Sequence, residues 1–116
     1  MKHRSFAIKL KPGCEAEYKK RHDELWPELA DAFRKAGVLE YSIYLDEKTS
    51  TLVAFQTLSD THTVAHLRDL EVMRRWWKSM QGILEINADG SPQSHPLTEM
   101  FTLKNQSSEL VELSER

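Results

Sequence analysis

Hydrophobic and polar residues alternate in short segments of the chain, a pattern typical of half-buried strands. The first segment is HRSFAIKL, which a Pro-Gly pair ends, and EYSIYLD and TLVAFQTL follow later, joined by the polar turn EKTS. LTEMFTL, near the C-terminus, predicts a last strand. The alternation therefore predicts four strands, at residues 3–10, 40–46, 51–58 and 97–103.

A helical pattern begins after the first strand, with apolar or aromatic residues at spacings of three and four. Its members are Tyr18, His22, Leu25, Trp26, Leu29, Phe33 and Ala36. Pro27 interrupts the pattern because it lacks an N–H and disfavours helical geometry at the residue before it. We expect a kink or a restart at Pro27, and a C-terminal cap at Gly37.

A second helical region follows the third strand. Ser59 and Asp60 are N-cap candidates for a helix that runs to about Leu84, with a break expected in its charged segment LRDLE. A stripe at spacings of three and four predicts the buried face of this region: Met73, Trp76, Met80 and Leu84.

Trp76 and Trp77 stand side by side in the sequence MRRWWKSM. Neighbouring residues lie about 100° apart on a helix, so one narrow face does not hold both rings equally. We infer that Trp76 anchors the helix in the core. Trp77 falls outside the stripe, and an aromatic ring at the edge of a core suits the apolar face of a ligand.

The order strand, helix, strand, strand, helix, strand predicts the α+β class. It indicates a ferredoxin-like antiparallel sheet with helices on one face. Residues 51–58 carry apolar side chains on both faces, with Val53 and Phe55 on the uncovered side. A large exposed apolar patch marks an interaction surface, so we expect a homodimer. We place a single domain at residues 1–104 and a polar, flexible tail at residues 105–116.

The composition removes several classes of function. The 116 residues carry a net charge of −2, which does not favour nucleic acid or an anionic membrane as partner. The sequence contains neither an apolar run of membrane-spanning length nor the pattern of a signal peptide. Cys14 is the only cysteine, which excludes an internal disulfide. A cytoplasmic protein is the expectation.

His22 is the most informative candidate for chemistry. It follows Tyr18 by four residues, so the two side chains share one face of the helix. A histidine that aromatic rings half enclose titrates near neutrality and transfers protons at physiological pH. A core histidine satisfied by a backbone carbonyl, or one at a subunit interface, fits the position equally well. Tyr41 faces the same side of its strand as the apolar residues, so its hydroxyl needs a protein or ligand partner.

Signals for a metal or for phosphate are weak. His62 and His66 have the spacing of two ligands on one helical turn, but a third ligand does not stand near them in the sequence. The segment RRWWK suits stacking on a single-stranded nucleic acid, against which the net charge argues. Sequences typical of a phosphate-binding loop or a nucleophile elbow do not occur. We therefore predict no metal site.

Four segments resemble the L-rhamnose mutarotases, in the same order and at matching positions. They are EYKKRHDELWPEL, YSIYLD, RRWWKSM and NADGSP, and the resemblance covers roughly residues 3–104. The resemblance implies a dimeric α+β barrel of ferredoxin-like subunits. It also implies an isomerase that interconverts the α and β anomers of L-rhamnose without a cofactor.

The resemblance also implies roles for individual residues. His22 matches the histidine that acts as proton donor in the family. Tyr18, Tyr41, Trp76 and Trp77 match residues that bind the sugar. A 6-deoxy sugar presents a methyl group and C–H faces that aromatic rings bury well, while tyrosine hydroxyls bind its hydroxyl groups.

Two other functions share the predicted architecture. Small dimeric α+β barrels also serve as cofactor-free monooxygenases and haem-degrading enzymes, with histidine and tryptophan in an apolar pocket. A non-catalytic sugar-binding or regulatory module would use the same pocket. Haem absorbance would favour the first alternative, and sugar binding without faster anomer exchange would favour the second.

Overall fold

A computed structural model describes residues 1–104, and the predicted tail at residues 105–116 lies outside this range. The elements are β1 (Lys2–Lys9), α1 (Glu15–Asp23), α2 (Pro27–Lys35), β2 (Val38–Asp46), β3 (Thr51–Leu58), a 3₁₀ helix (Val64–Asp69), α3 (Glu71–Met80) and β4 (Ser94–Leu97). The predicted α+β class is confirmed. Among these elements, no helix is long and apolar enough to cross a membrane.

The four strands form one antiparallel sheet in the order β2-β3-β1-β4. This order is that of the predicted ferredoxin-like fold. The register aligns Phe6 of β1 with Ala54 of β3, and Ala54 with Ile43 of β2. Because side chains alternate between the faces of a sheet, these three residues share the face that the helices cover.

The break between the first two helices confirms the expectation at Pro27. α1 ends at Asp23, Trp26 has an extended backbone conformation, and Pro27 is the first residue of α2. Proline suits this position because the first N–H groups of a helix have no partner within the helix. Trp26 is thus held between the two helices rather than on either.

The predicted cap at Gly37 is also confirmed. Gly37 follows α2 with φ of +95°, in the left-handed region that glycine adopts without strain. A Cβ atom here would lie 2.6 Å from Oγ of Ser59 and 2.9 Å from Cα of His62. Glycine therefore allows the chain after β3 to pack closely on the end of α2.

The predicted N-caps of the second helical region are wrong. Regular structure begins only at Val64, in the 3₁₀ helix, and α3 begins at Glu71. The backbone N–H of Ser59 donates to the carbonyl of Gly37 (2.8 Å), and the carboxylate of Asp60 pairs with the N-terminal amine (2.8 Å). The break in LRDLE is confirmed, because the 3₁₀ helix and α3 meet there.

The last strand lies earlier than predicted. β4 is Ser94–Leu97, whereas residues 98–103 of the predicted strand have no regular structure. Pro96 argues against a strand at residues 94–97 when the sequence is considered alone. Proline is tolerated there because β4 is an edge strand, where a missing N–H breaks no ladder. The side chains of Met100 and Phe101 are exposed instead of packed.

The two faces of the sheet differ. The helix-covered face and the helices form the core, and the predicted stripe on the second helical region is buried in it. On the open face, Tyr44 and Phe55 are 63% and 45% exposed, and their rings pack edge to face with centroids 5.7 Å apart. An apolar open face is therefore present in the single chain.

Candidate active site

A cleft of about 800 Å³ opens between the first two helices and the edge of the sheet at β2. Tyr18 and His22 reach it from α1, Tyr41 from β2 and Trp76 from α3. Apolar side chains form much of the remaining wall, and charged side chains stand around it: Glu15, Lys19, Asp23, Arg34, Glu40 and Glu47. Four of the five predicted site residues thus meet in one place.

Aromatic rings enclose the imidazole of His22. The ring of Tyr18 stacks on it with centroids 4.2 Å apart and planes 29° apart. The ring of Trp76 meets it edge to face at 5.3 Å, and Trp26 packs against Trp76 in the same manner at 5.2 Å. Such pairs lock side-chain orientation. The histidine is therefore fixed in position within the cleft.

The hydrogen bond of His22 determines its tautomer. Its Nδ1 lies 3.1 Å from the carbonyl oxygen of Tyr18, one helical turn earlier. A carbonyl oxygen only accepts, so Nδ1 carries the hydrogen and donates it. In the neutral imidazole, Nε2 is then unprotonated and available to take a proton.

Burial lowers the pKa of His22 below its usual value, although the hydrogen bond to Tyr18 and the charge of Asp23 oppose this shift. The neutral ring is favoured because a charged ring loses hydration in the partly buried site. At neutral pH, His22 therefore rests as a proton acceptor. Its imidazolium form, once made, is a stronger acid than an exposed histidine.

The two cleft tyrosines keep their protons. Burial raises the pKa of Tyr41 to about 12, while Arg4 and Gln56 act in the opposite direction. Burial also raises the pKa of Tyr18, and the nearby Tyr41 adds to that rise. Both hydroxyls are therefore neutral hydrogen-bonding groups near pH 7.

Trp77 does not line this cleft. It is partly buried and borders a separate surface depression with Arg68, Arg74, Lys78 and Asp89. The helical spacing predicted that Trp76 anchors the helix in the core. Trp76 is indeed buried, and it also lines the cleft beside His22. The role of Trp77 in sugar binding stays a prediction from the resemblance.

Sequence reasoning missed three contributors to the site. Trp26 is a member of the helical pattern and was not a site candidate, yet it supports Trp76. Gln56 is a buried polar residue next to Tyr41 across β3 and β2, and Arg4 binds it. A signal for Gln56 was present, because the alternation of β3 places it on the same face as the buried Leu52 and Ala54.

Among residues 1–104, His, Cys, Asp and Glu side chains do not form a group of three that could hold a metal ion. Nδ1 of His62 accepts from the backbone N–H of Val64 at 3.4 Å. His66 is exposed and lies 3.8 Å from the carboxylate of Asp69. The pair with metal-ligand spacing thus makes local contacts.

Comparison with known proteins decides the family. The model of a family described as L-rhamnose mutarotase matches residues 3–103. The chain belongs to the L-rhamnose mutarotase family. The resemblance on which the sequence reasoning relied is therefore confirmed.

Individual members of the family are similar along most of their length. An L-rhamnose mutarotase of Brucella anthropi is 50% identical over 97 residues, which are 84% of this chain and 92% of that protein. One of Bacteroides thetaiotaomicron is 46% identical over 101 residues, 87% of this chain and 97% of that protein. The crystal structure of an L-rhamnose mutarotase from Formosa agariphila superposes with a TM-score of 0.82 at 42% identity, covering 90% of this chain and all of that one.

Proposed function

We propose that the protein is an isomerase that interconverts the α and β anomers of L-rhamnose by opening and closing the sugar ring. The observation that carries this proposal is the arrangement of His22. Its Nδ1 is hydrogen bonded, its Nε2 is free, and aromatic rings enclose it in the cleft of a chain that belongs to this family. The family comparison favours this function over the monooxygenase and haem-degrading alternatives, which rested on architecture alone.

Ring opening needs two proton transfers, one from the anomeric hydroxyl and one to the ring oxygen. Both oxygens are bonded to C1, so a single imidazole nitrogen can reach either of them. Neutral His22 accepts the proton of the anomeric hydroxyl at Nε2, and the imidazolium donates a proton to the ring oxygen as the C1–O bond breaks. After rotation about C1–C2, the same steps in reverse close the ring as either anomer.

The other cleft residues supply binding. The indole of Trp76 and the ring of Tyr18 offer faces and edges to the methyl and C–H groups of a deoxy sugar. The protonated hydroxyls of Tyr18 and Tyr41 donate hydrogen bonds to sugar oxygens. Trp77 is retained as a sugar-binding residue on the strength of the resemblance.

We also propose that the protein is a homodimer joined through the open faces of two sheets. The exposed edge-to-face pair of Tyr44 and Phe55 supports this, because a lone chain would leave these rings in water. A cytoplasmic location is proposed as well, on the basis of the single unpaired Cys14.

Saturation-transfer NMR on L-rhamnose at anomeric equilibrium tests the proposed activity. Irradiation of one anomeric proton should reduce the signal of the other when catalytic amounts of protein are present. The transfer should scale with protein concentration. Binding of the sugar without faster transfer would contradict catalysis and support the non-catalytic binding module.

A further inference from the structure

A polar row crosses the otherwise apolar, helix-covered face of the sheet. Arg4 of β1 is paired with Gln56 of β3, and Gln56 is paired with Tyr41 of β2. Gln56 is only 4% exposed, one of two buried polar residues among the residues described. A buried amide is costly unless its oxygen and its NH₂ group both find partners. The hydrogen-bond donors and acceptors of Arg4, Gln56 and Tyr41 therefore depend on one another.

Arg4 determines the orientation of the Gln56 amide. Nε of Arg4 lies 2.6 Å from Oε1 of Gln56, and the guanidinium packs over the ring of Phe6 with Cζ 5.1 Å from the ring centroid. A guanidinium only donates, so the atom it contacts must be the amide oxygen. The opposite end of the amide is then the NH₂ group, which only donates.

The orientation of the amide sets the direction of the next hydrogen bond. Gln56 is the cross-strand neighbour of Tyr41 on the same face of the sheet, and its side chain lowers the pKa of Tyr41, against the rise caused by burial. An NH₂ group has no lone pair to offer, so in a hydrogen bond between these neighbours the phenol oxygen accepts. The hydroxyl hydrogen of Tyr41 then does not point at Gln56. It remains free for an acceptor in the cleft that Tyr41 lines.

We propose that Gln56, oriented by Arg4, is a positioning residue that presents the Tyr41 hydroxyl to the cleft as a hydrogen-bond donor. The group it would recognise is a sugar oxygen that accepts a hydrogen bond, such as the ring oxygen or a hydroxyl oxygen. This inference rests on the proposed function, because it assumes that the cleft holds the sugar. In this relay, Gln56 acts on the sugar only through its neighbour Tyr41, and Arg4 holds its amide.

The decisive variant is Gln56→Glu, which keeps the shape of the side chain and its bond to Arg4 but removes the NH₂ donor. A carboxylate only accepts, so the Tyr41 hydroxyl would donate to Glu and turn away from the sugar. We expect KM for L-rhamnose to rise by about tenfold, the size of one neutral hydrogen bond, with kcat little changed. Melting temperature should not fall, because the new carboxylate pairs with Arg4.

The matched control is Tyr41→Phe, which lacks the hydroxyl. In this background, Gln56→Glu should change KM by less than about twofold, because the interaction it disturbs is already absent. An equal rise of KM in both backgrounds would overturn the proposal. So would a wild-type KM in Gln56→Glu, or a lower melting temperature with kcat and KM affected together, which a purely structural role predicts.

A second measurement needs no sugar and separates this inference from the proposed function. The Raman doublet of tyrosine has a high intensity ratio when the hydroxyl mainly accepts a hydrogen bond and a low one when it mainly donates. The Tyr41 contribution, obtained by subtracting the Tyr41→Phe spectrum, should have a lower ratio in Gln56→Glu than in the wild type. An unchanged ratio would overturn the relay even if the enzyme is active. Failure of the proposed function would appear instead as wild-type protein without anomer exchange.

Discussion

His22 shows how far a single residue can be interpreted from sequence. Its spacing from Tyr18 predicted a shared helix face, and the structure confirms it with stacked rings 4.2 Å apart. The choice between a core residue and a proton-transfer residue stayed open, because periodicity does not show what an imidazole contacts. The bond from Nδ1 to a backbone carbonyl fits the structural alternative, yet the same bond frees Nε2 for chemistry.

The lowered pKa of His22 predicts a dependence on pH. Between its folded pKa and the usual value of 6.5, the unfolded chain binds more protons than the folded chain. The free energy of unfolding should therefore fall as pH drops from about 6.5 through the folded pKa. The exchange rate should fall over the same range, because an imidazolium cannot accept the anomeric proton.

His22→Gln provides the comparison for the stability measurement. Denaturant unfolding at a series of pH values should show a smaller loss of stability below pH 6.5 in this variant, since the titrating group is gone. Identical stability profiles would contradict the lowered pKa. For the wild-type protein, a fall of the exchange rate at acid pH that is centred above pH 6.5 would contradict His22 as the proton acceptor.

The boundaries of helices and strands were predictable where a single residue determines the backbone conformation. Pro27 and Gly37 marked the start of α2 and its end, because the restricted backbone of proline and the permissive backbone of glycine act at the residue itself. β4 was misplaced because an edge strand tolerates a proline that a central strand excludes. Whether a strand lies at an edge depends on the whole sheet, which local patterns do not contain.

The two tryptophans of α3 lie on different faces of one helix and should respond differently to truncation. Trp76→Ala should lower the free energy of unfolding by about 3–5 kcal/mol, because it empties a buried position between His22 and Trp26. Trp77→Ala should cost about 1 kcal/mol, because its ring is only partly buried. Urea unfolding of both variants gives the comparison.

Sugar affinity measured on the same samples tests the role that the resemblance implies for Trp77. Weaker binding of L-rhamnose by Trp77→Ala at nearly full stability would support contact with the sugar. Equal loss of stability in the two variants would show that the assignment of buried and peripheral faces on α3 is wrong.

For the molecule as a whole, the order of strands and helices was enough to predict the sheet topology. It was not enough to predict the cleft, which depends on how far α1 and α2 stand from the edge of β2. Gln56 illustrates the same limit, because its meaning depends on Arg4 and Tyr41 from two other strands. Contacts between residues far apart in the chain were therefore outside the reach of the sequence patterns.

Dimerisation through the open sheet face predicts an effect of charge at Phe55. Phe55→Glu should yield monomers or aggregates, because it places a carboxylate in the proposed contact between two sheets. The matched control is Leu70→Glu at the start of α3, since Leu70 is 41% exposed and Phe55 is 45% exposed. Sedimentation equilibrium at micromolar concentration should show a dimer for the wild type and for this control.

A wild-type sample that contains only the 13.5 kDa species would contradict the dimer. A Phe55→Glu protein that sedimented as a stable dimer would instead contradict the open sheet face as the interface.

The central claim is that His22 transfers the protons of anomer exchange, and NMR exchange of L-rhamnose with His22→Ala tests it most directly. The account predicts a rate at least about a hundredfold lower than that of the wild type, the usual range for loss of a general acid or base. The variant should remain folded and still bind the sugar weakly. A His22→Ala protein that is folded and exchanges the anomers at the wild-type rate would contradict the account.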